Sequence, residues 1–341
     1  MMQPKELTKG RFLRIQAIFF LFFAASIILC PLIGSERISF AKVFDFAKPL
    51  KENPDAVIFF RTRLPRCLLA LIVGASLAAA GVTFQAMLKN PLATPYTLGL
   101  AGGSSLAAVL VLMFFSMSGL KIPLLQPLAS FFGALGTLGL VYRLGRRSGE
   151  IHVLTLILAG VTLNLFFSSL ILFIQYIADP AQTFFILHWL MGNLDITNYQ
   201  PVFLILPFHV LGMFVLFYHA RDMNLVSLDD LSARSLGLDA PRVMRRLYIA
   251  SSLVAGTSIA FSGPIGFVGL IVPHALRLIL GADHRLVLPA SFFAGGAFLV
   301  ICDTAARTII APTELPVGVI TALLGGPFFL WLLLKGARGM E

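Results

Sequence analysis

The stretch RTRLPR at residues 61–66 places three arginines within six residues, just before a long apolar run. Guanidinium groups form strong, paired hydrogen bonds with carboxylates and phosphates. Two interpretations follow. The arginines reach lipid phosphates from a helix end, or they bind an acidic protein partner. Charge alone favours the lipid interpretation.

A second charged pair, Asp303 and Arg307, lies within an apolar run. Four residues of separation place the two side chains on one face of a helix, where they can form an ion pair. Because charges inside membrane segments are costly and often functional, Arg307 is also a candidate functional residue.

The other residue types that carry chemistry occur singly. Cys30, Cys67 and Cys302 are far apart in apolar segments, which is typical of buried, inert thiols. His274 has no carboxylate at helical spacing, and we interpret it as a packed histidine. The sequence lacks the GxxxxGKS/T loop of ATP-hydrolysing proteins. No enzymatic activity, metal site or resident cofactor is therefore predicted.

Composition defines the protein class. Of 341 residues, 58% are hydrophobic and only 12% are charged, and the mean hydropathy is +0.90. A soluble domain carries about 25% charged residues, so most of this surface must face lipid. The net charge of +10 does not indicate nucleic-acid binding, because membrane proteins concentrate Lys and Arg in their cytoplasmic loops.

Ten apolar runs have lengths that suit crossing a bilayer. They are 12–33, 66–88, 96–118, 123–144, 152–177, 201–219, 243–262, 267–282, 287–308 and 316–335. We predict an all-α membrane protein with about ten transmembrane helices in a single domain, 1–341. Both termini are placed in the cytoplasm, since most Lys and Arg residues then lie inside. The exception is 34–66, which includes the longest outer loop, 34–60.

The segment after the second run combines a polar side chain with a broken backbone. Gln85 lies inside the run and is expected to face the bundle or a pathway. Two X-Pro steps, at 90–91 and 94–95, then interrupt the chain. Such breaks are tolerated at membrane depth where protein or a water-filled cavity covers them. An ordinary tight turn is the alternative, but the small residues of 74–81 favour a loop that narrows a pore.

Two further segments depart from simple apolar runs. Residues 220–246 mix leucines with charges, which predicts two short amphipathic helices separated near Gly237. They could form a solvated loop or lie on lipid, but the groove of a cytoplasmic partner explains both the apolar face and the charged rim. The run 267–282 is rich in Gly and Pro, which predicts a short span covered by protein.

Together these motifs resemble the permeases of iron-siderophore, haem and vitamin B12 ABC importers. The resemblance covers about residues 55–338, with the motifs in the expected order. They are RLPR, NPLATP, LGLAGG, MNLVSLDDLSARSLGLD, GPIGFVGLIVPHALRL, GADHR, DTAAR and ELPVGVITALLGGPFFLWLL. The resemblance implies the type II ABC importer permease fold, with ten helices in each subunit.

The resemblance also implies a location in the inner cell membrane and a set of partner subunits. Such permeases are homodimers with the transport path at the subunit interface. Two cytoplasmic ATPase subunits, which bind ATP and Mg, hold the short helices between the sixth and seventh spans. Here the corresponding coupling segment is 220–246, and the matching residues are Leu228, Ala233, Leu236 and Gly237.

An extracytoplasmic substrate-binding protein docks on the other side of such permeases, through its acidic residues. The matching positions are Arg63, Arg66 and Arg307, so the resemblance favours the docking interpretation of the arginine cluster.

The resemblance places a gate at the inner face. The family's gate loop matches Asn90, Pro91 and Leu92, and we assign Gln85 to the pathway with them. The second part of the family's gate is a small hydroxyl pair at the start of helix five, where this sequence has EIH at 150–152.

The predicted function is therefore that of an ABC importer permease for an iron chelate (siderophore or haem) or cobalamin, driven by ATP hydrolysis on partner subunits. The alternative is a secondary transporter driven by an ion gradient. It requires paired acidic or His residues at mid-membrane, and Asp303, near the end of its run, is the single acidic residue inside the apolar runs. A receptor or structural membrane protein would not require the segment 220–246.

Overall fold

The computed structural model describes residues 8–45, 49, 52–119, 122, 124–147, 150–228 and 235–338. These parts of the chain are almost wholly helical. The helices are α1 (Lys9–Leu29), α2 (Phe40–Val43), α3 (Pro54–Val57), α4 (Leu64–Met87), α5 (Leu100–Ser118), α6 (Leu125–Gly145), α7 (Val153–Ile177), α8 (Pro180–Leu190), α9 (Gln200–Tyr218), α10 (Ala220–Val226), α11 (Ala240–Ser262), α12 (Val268–Leu280), α13 (His284–Thr308) and α14 (Val317–Arg338). Two-residue strands, Arg146–Arg147 and Glu150–Ile151, pair antiparallel between α6 and α7.

All ten apolar runs contain a long or medium helix, which confirms the predicted all-α membrane fold. In the described part of the chain, seven helical units are long and apolar enough to span a bilayer. They are α1, the unit Pro54–Met87, α5, α6, α7, α9 and α13. The other three predicted spans are α11, α12 and α14. Helix α12 has only 13 residues, so the eighth span is short, as predicted.

The second spanning helix is longer than its apolar run. Helix α3 continues through a π-helical stretch, Ile58–Arg63, directly into α4, so helix begins at Pro54 rather than at residue 66. The predicted outer loop 34–60 therefore ends in helix and also contains the single turn α2. As a result, the RTRLPR arginines lie on a continuous helix rather than in a loop.

Helix α8 is absent from the sequence prediction because its apolar stretch is short. Its start is nevertheless signalled by a capping box: the Asp179 carboxylate accepts from the backbone N–H of Gln182 at 2.8 Å, and Gln182 Oε1 accepts from the N–H of Asp179 at 3.1 Å. Pro180 occupies the first helical position. An Asp-Pro step followed by Gln at the third helical position is a helix-start signature.

The core of the fold is α4, which is buried along almost its whole length by α11, α12 and α13. Glycines bring these backbones together. A Cβ at Gly81 would lie 1.9 Å from the carbonyl oxygen of Gly269 on α12, and one at Gly74 would lie 2.3 Å from that of Gly295 on α13. Helices α4, α12 and α13 therefore form one tight unit.

The outer surface of the bundle is apolar. Large hydrophobic side chains are exposed along α1, α7 and α9, including Phe20, Leu158 and Phe214. In water such a surface would cost about 25 cal/mol for each Å² of apolar area. This surface therefore fits lipid.

Candidate functional site

Polar side chains gather at the two ends of α4. We call the end at which α4 begins the arginine end, because it carries Arg63, Arg66 and Arg307. The end at which α4 finishes is called the Asn90 end. It holds the loop that follows α4 and the segment after α10.

Arg66 is the centre of the arginine end. Its Nε donates to both carboxylate oxygens of Asp303 on α13, at 2.9 and 3.2 Å. Its Nη1 donates to Glu314 Oε2 at 2.6 Å and lies 3.7 Å from Asp195 Oδ1. Arg66 and Asp303 are buried, whereas the side chains of Glu314 and Asp195 are 42% and 57% exposed.

Arg307 completes the pairing of Asp303. Its Nε donates to Asp303 Oδ2 at 3.1 Å, which confirms the predicted ion pair between residues four apart. Its other nitrogens donate to the Thr304 hydroxyl at 3.1 Å and to the carbonyl of Ile33 at 3.3 Å. Arg307 therefore ties α13 to the segment that follows α1.

Arg63 holds the same segment from the π-helical stretch before α4. Its guanidinium donates to the carbonyls of Pro31 at 3.4 Å, Leu32 at 3.3 Å and Glu36 at 2.5 Å. Burying a guanidinium is expensive unless its donors are paired, and backbone carbonyls supply that pairing here.

The three arginines predicted to dock a binding protein are all buried in this conformation, and of the arginines in RTRLPR only Arg61 is exposed. Their guanidinium groups bind protein, so the geometry does not fit an interaction with lipid phosphates. Docking through these residues stays a prediction. The accessible groups of the network are the carboxylates of Asp195 and Glu314, which sequence reasoning missed because neither has a nearby basic residue in the chain.

The three cysteines are free and buried, as predicted. Within the described ranges, no three His, Cys, Asp or Glu side chains come close enough together to hold a metal ion. His274 packs against the ring of Phe329, with ring centres 5.8 Å apart. This contact agrees with its interpretation as a packed histidine.

At the Asn90 end, Gln85 faces the bundle, as predicted. Its Nε2 donates to the carbonyl of Gly269 at 3.2 Å, while its buried Oε1 has no hydrogen-bond partner among the described residues. The following loop turns on Asn90, whose Oδ1 accepts from the N–H of Leu92 at 2.9 Å. Pro91 and Leu92 are exposed. The predicted gate residues are therefore contiguous with α4, with Gln85 buried and the loop tip open.

The chain then re-enters the bundle before α5 begins. The Tyr96 hydroxyl donates to the carbonyl of Ile265 at 2.5 Å. Gly160, seven residues into α7, leaves room for this stretch, since a Cβ there would lie 2.5 Å from the Cα of Leu98. Gly99, with φ +77°, then turns the chain into α5. The loop after α4 is thus held inside protein at one side and exposed at its tip.

The coupling segment 220–246 begins with α10. Leu228 and Leu236 are 46% and 62% exposed. Gly237 adopts φ +80°, and among the described residues no atom lies within 4 Å of a Cβ built there. Ala233 lies outside the described residues. The helix break predicted near Gly237 is consistent with its left-handed backbone, which ends just before α11 begins at Ala240.

Comparison with known proteins identifies the family. The model of the FecCD transport family matches residues 21–335. The chain belongs to the FecCD transport family. The resemblance seen in the motifs is therefore confirmed.

Individual relatives are similar over most of their length. The hemin transport system permease protein HmuU of Yersinia pestis is 38% identical over 283 residues, covering 82% of this chain and 83% of the relative. The cobalamin import system permease protein BtuC of Halobacterium salinarum is 40% identical over 300 residues, covering 87% of this chain and 78% of the relative. A solved metal-chelate type ABC transporter in an inward-facing conformation matches with a TM-score of 0.81 and 31% identity, covering 95% of this chain and 99% of that one.

Proposed function

We propose that this FecCD-family permease forms a homodimer that moves a metal chelate inward across the inner membrane, driven by ATP hydrolysis on two separate subunits. The observation that carries the proposal is the Asn90 end. Leu228 and Leu236 are exposed at this end, and Gly237 has a left-handed backbone. These residues follow α10, which packs on the bundle through buried side chains. Exposed apolar side chains next to charge are typical of a partner-binding helix.

The gate of the proposed mechanism is the loop after α4. Closure of the ATPase subunits moves the coupling segment and biases the bundle between inward-facing and outward-facing states. The chain from Gln85 to Leu92 joins the buried end of α4 to an exposed tip. A small movement of α4 therefore changes the position of that tip.

The arginine end is the proposed docking face for an acidic substrate-binding protein. Arg61 is exposed there and is accessible in the present conformation. Arg63, Arg66 and Arg307 take part only if their internal partners are exchanged. For Arg66 such an exchange displaces Glu314, whose carboxylate already occupies the position of an incoming acid.

The substrate class that we propose is a metal chelate or a corrinoid. The relatives above are named for hemin and for cobalamin. The test is uptake into proteoliposomes that contain the permease, its ATPase and its binding protein. The probes are iron-55 haemin, ferric hydroxamate, ferric citrate and cobalt-57 cyanocobalamin. ATP-dependent uptake of one probe is expected, and uptake of none contradicts the substrate class.

A matched pair of glycine variants tests the coupling site. Gly237 and Gly119 both have positive φ and open surroundings among the described residues, but they lie at opposite ends of the bundle. Replacing either by Trp imposes the same backbone strain. We expect Gly237→Trp to abolish the stimulation of ATPase activity by the permease, and Gly119→Trp to retain it. Equal ATPase stimulation in the two variants contradicts the assigned interface.

An ion-gradient mechanism is less well supported. It needs an acidic residue that binds and releases an ion within the bundle. Asp303 is the acidic residue inside an apolar run, and both of its oxygens are held by Arg66 and Arg307. A carboxylate paired with two arginines is a poor carrier of a proton or a sodium ion. Uptake that persists after ATP depletion and stops with an ionophore would support this alternative.

A further inference from the structure

A cluster of three side chains joins α10 to the start of α13 at the Asn90 end. Asn224 Nδ2 donates to Asp283 Oδ1 at 2.8 Å, and Asn224 Oδ1 accepts from the backbone N–H of His284 at 2.8 Å. The same Oδ1 lies 2.7 Å from His284 Nδ1. The backbone donor on one side and the carboxylate on the other fix the amide orientation, so Nδ1 carries the proton.

This cluster caps α13 from a distant part of the chain. The first N–H groups of a helix have no acceptor within the helix. Asp283 accepts from the N–H of Arg285 at 3.0 Å, but the acceptor for the N–H of His284 is Asn224, which is 60 residues away. The start of α13 is therefore capped both by Asp283, the residue before it, and by Asn224 of α10.

The charge in the cluster is permanent. Partial burial alone would raise the pKa of Asp283, but hydrogen bonds from Arg285 and Asn224 lower it to about 2. The Arg285 guanidinium binds both oxygens of Asp283, at 2.7 to 3.1 Å. Since a depressed carboxyl pKa means that the charged form is favoured, the link persists at all physiological pH values.

Helix α10 is the part of the coupling segment 220–246 that packs on the core. Met223 and Val226 are buried in the core, while Leu228, two residues past the end of the helix, is exposed. At the other side of the link, α13 packs along α4 with the close approach of Gly295 to Gly74. The cluster is therefore a polar connection between an exposed segment and the tightly packed helices α13 and α4.

We propose that Asn224, Asp283 and His284, here called the α10 latch, transmit movement of residues 227–240, the part of the coupling segment after α10, to α13 and α4. Buried apolar contacts are non-directional, so on their own they let α10 slide along α13. Hydrogen bonds with fixed geometry hold the register between the two helices. The proposal rests on the proposed function, because it assumes that ATPase subunits move segment 227–240.

The test measures gate movement in the assembled permease–ATPase complex, without any transported substrate. Leu92→Cys places a reporter at the exposed loop tip, and the three native cysteines are buried. The readout is the rate of maleimide labelling at position 92, with and without ATP and vanadate. In the parent reporter, nucleotide is expected to change this rate at least about fivefold, the lower range of coupling between linked sites.

Two variants and a control are compared in that background. Asn224→Asp places a carboxylate against Asp283 and removes the amide donor, so the nucleotide effect is expected to fall below about twofold. Adding Asp283→Asn exchanges the amide and the carboxylate and is expected to restore the effect. The control is Asp179→Ala, which removes the local cap of α8 at the other end of the bundle. It is expected to respond like the parent.

The outcomes separate the latch from the proposed function. An unchanged nucleotide effect in Asn224→Asp overturns the latch, as does loss of complex assembly in that variant, since the contact would then only hold the fold. Failure of the double variant to recover the effect also overturns it. If nucleotide leaves labelling of the parent reporter unchanged, the proposed function itself fails.

Discussion

The two ends of α4 use polar residues in opposite ways. At the arginine end, three buried arginines are satisfied by carboxylates and carbonyls of the same chain. At the Asn90 end, Leu228 and Leu236 are exposed and Gly237 has open space among the described residues. Among the described residues, one end is closed by its own contacts, and the other presents exposed apolar side chains.

This difference indicates how each end can engage a partner. The Asn90 end can bind a partner as it stands, because its apolar side chains are already exposed. At the arginine end Arg61 is exposed, but Arg63, Arg66 and Arg307 must first release their internal acceptors. We therefore expect changes at the arginine end to affect stability first, and changes at the Asn90 end to affect partner binding first.

The largest expected effect is at the arginine end, in Asp303→Ala. The carboxylate is 0% exposed and binds two arginines, so its removal leaves two neighbouring buried cations. Breaking a buried pair by removing one partner costs about 3 to 5 kcal/mol. The measurement is the free energy of unfolding in detergent micelles.

Glu314→Gln is the matched control for that prediction. Glu314 binds the same Arg66 but is 42% exposed, and partly exposed pairs contribute about 0 to 1 kcal/mol. Equal losses of stability in the two variants would contradict the distinction between the buried carboxylate of Asp303 and the partly exposed carboxylate of Glu314.

The next largest effect tests whether α4 stays tightly packed toward the Asn90 end, although the surface segments at that end are exposed. Gly81→Ala places a Cβ against the backbone oxygen of Gly269, and overpacking of this kind costs about 1 to 3 kcal/mol. Gly136→Ala, on an exposed face of α6 with no described atom within 4 Å, is expected to be neutral or slightly stabilising. A neutral Gly81→Ala would show that the core loosens toward the Asn90 end.

A smaller effect is expected for Tyr96→Phe, which removes the hydrogen bond to Ile265 behind the gate loop. A single such bond contributes about 0.5 to 1.5 kcal/mol. The unfolding free energy and the labelling rate at Leu92→Cys are measured together. If Tyr96→Phe changes the labelling rate measured in the absence of nucleotide, the hydrogen bond to Ile265 holds the loop in position. An unchanged labelling rate and unchanged stability would show that the loop is held by packing alone.

The sequence predicts the helices well because long apolar runs depend on local composition. It misses α8, whose apolar stretch is short, although the Asp179 capping box marks its start. It does not predict the burial of Arg66, because the partners Asp303 and Glu314 lie 237 and 248 residues away in the chain. Contacts of such separation leave no periodic signal. The Asn224 link to His284 was missed for the same reason.

The smallest expected effect on stability is at the Asn90 end, in Leu236→Asp. The side chain is 62% exposed, and exposed substitutions change the unfolding free energy by less than about 0.5 kcal/mol. A loss of several kcal/mol would mean that Leu236 belongs to the core and that the two ends are alike.

The most direct test of the account is the amount of ATPase subunit that co-purifies with the permease. The protein as it stands is compared with Leu236→Asp and with Glu314→Gln, each checked for an unchanged unfolding midpoint. We expect stable co-purification for the parent and for Glu314→Gln, and at least about tenfold weaker binding for Leu236→Asp, equivalent to about 1.4 kcal/mol. Equal retention of the ATPase by all three proteins, or by none, would contradict it.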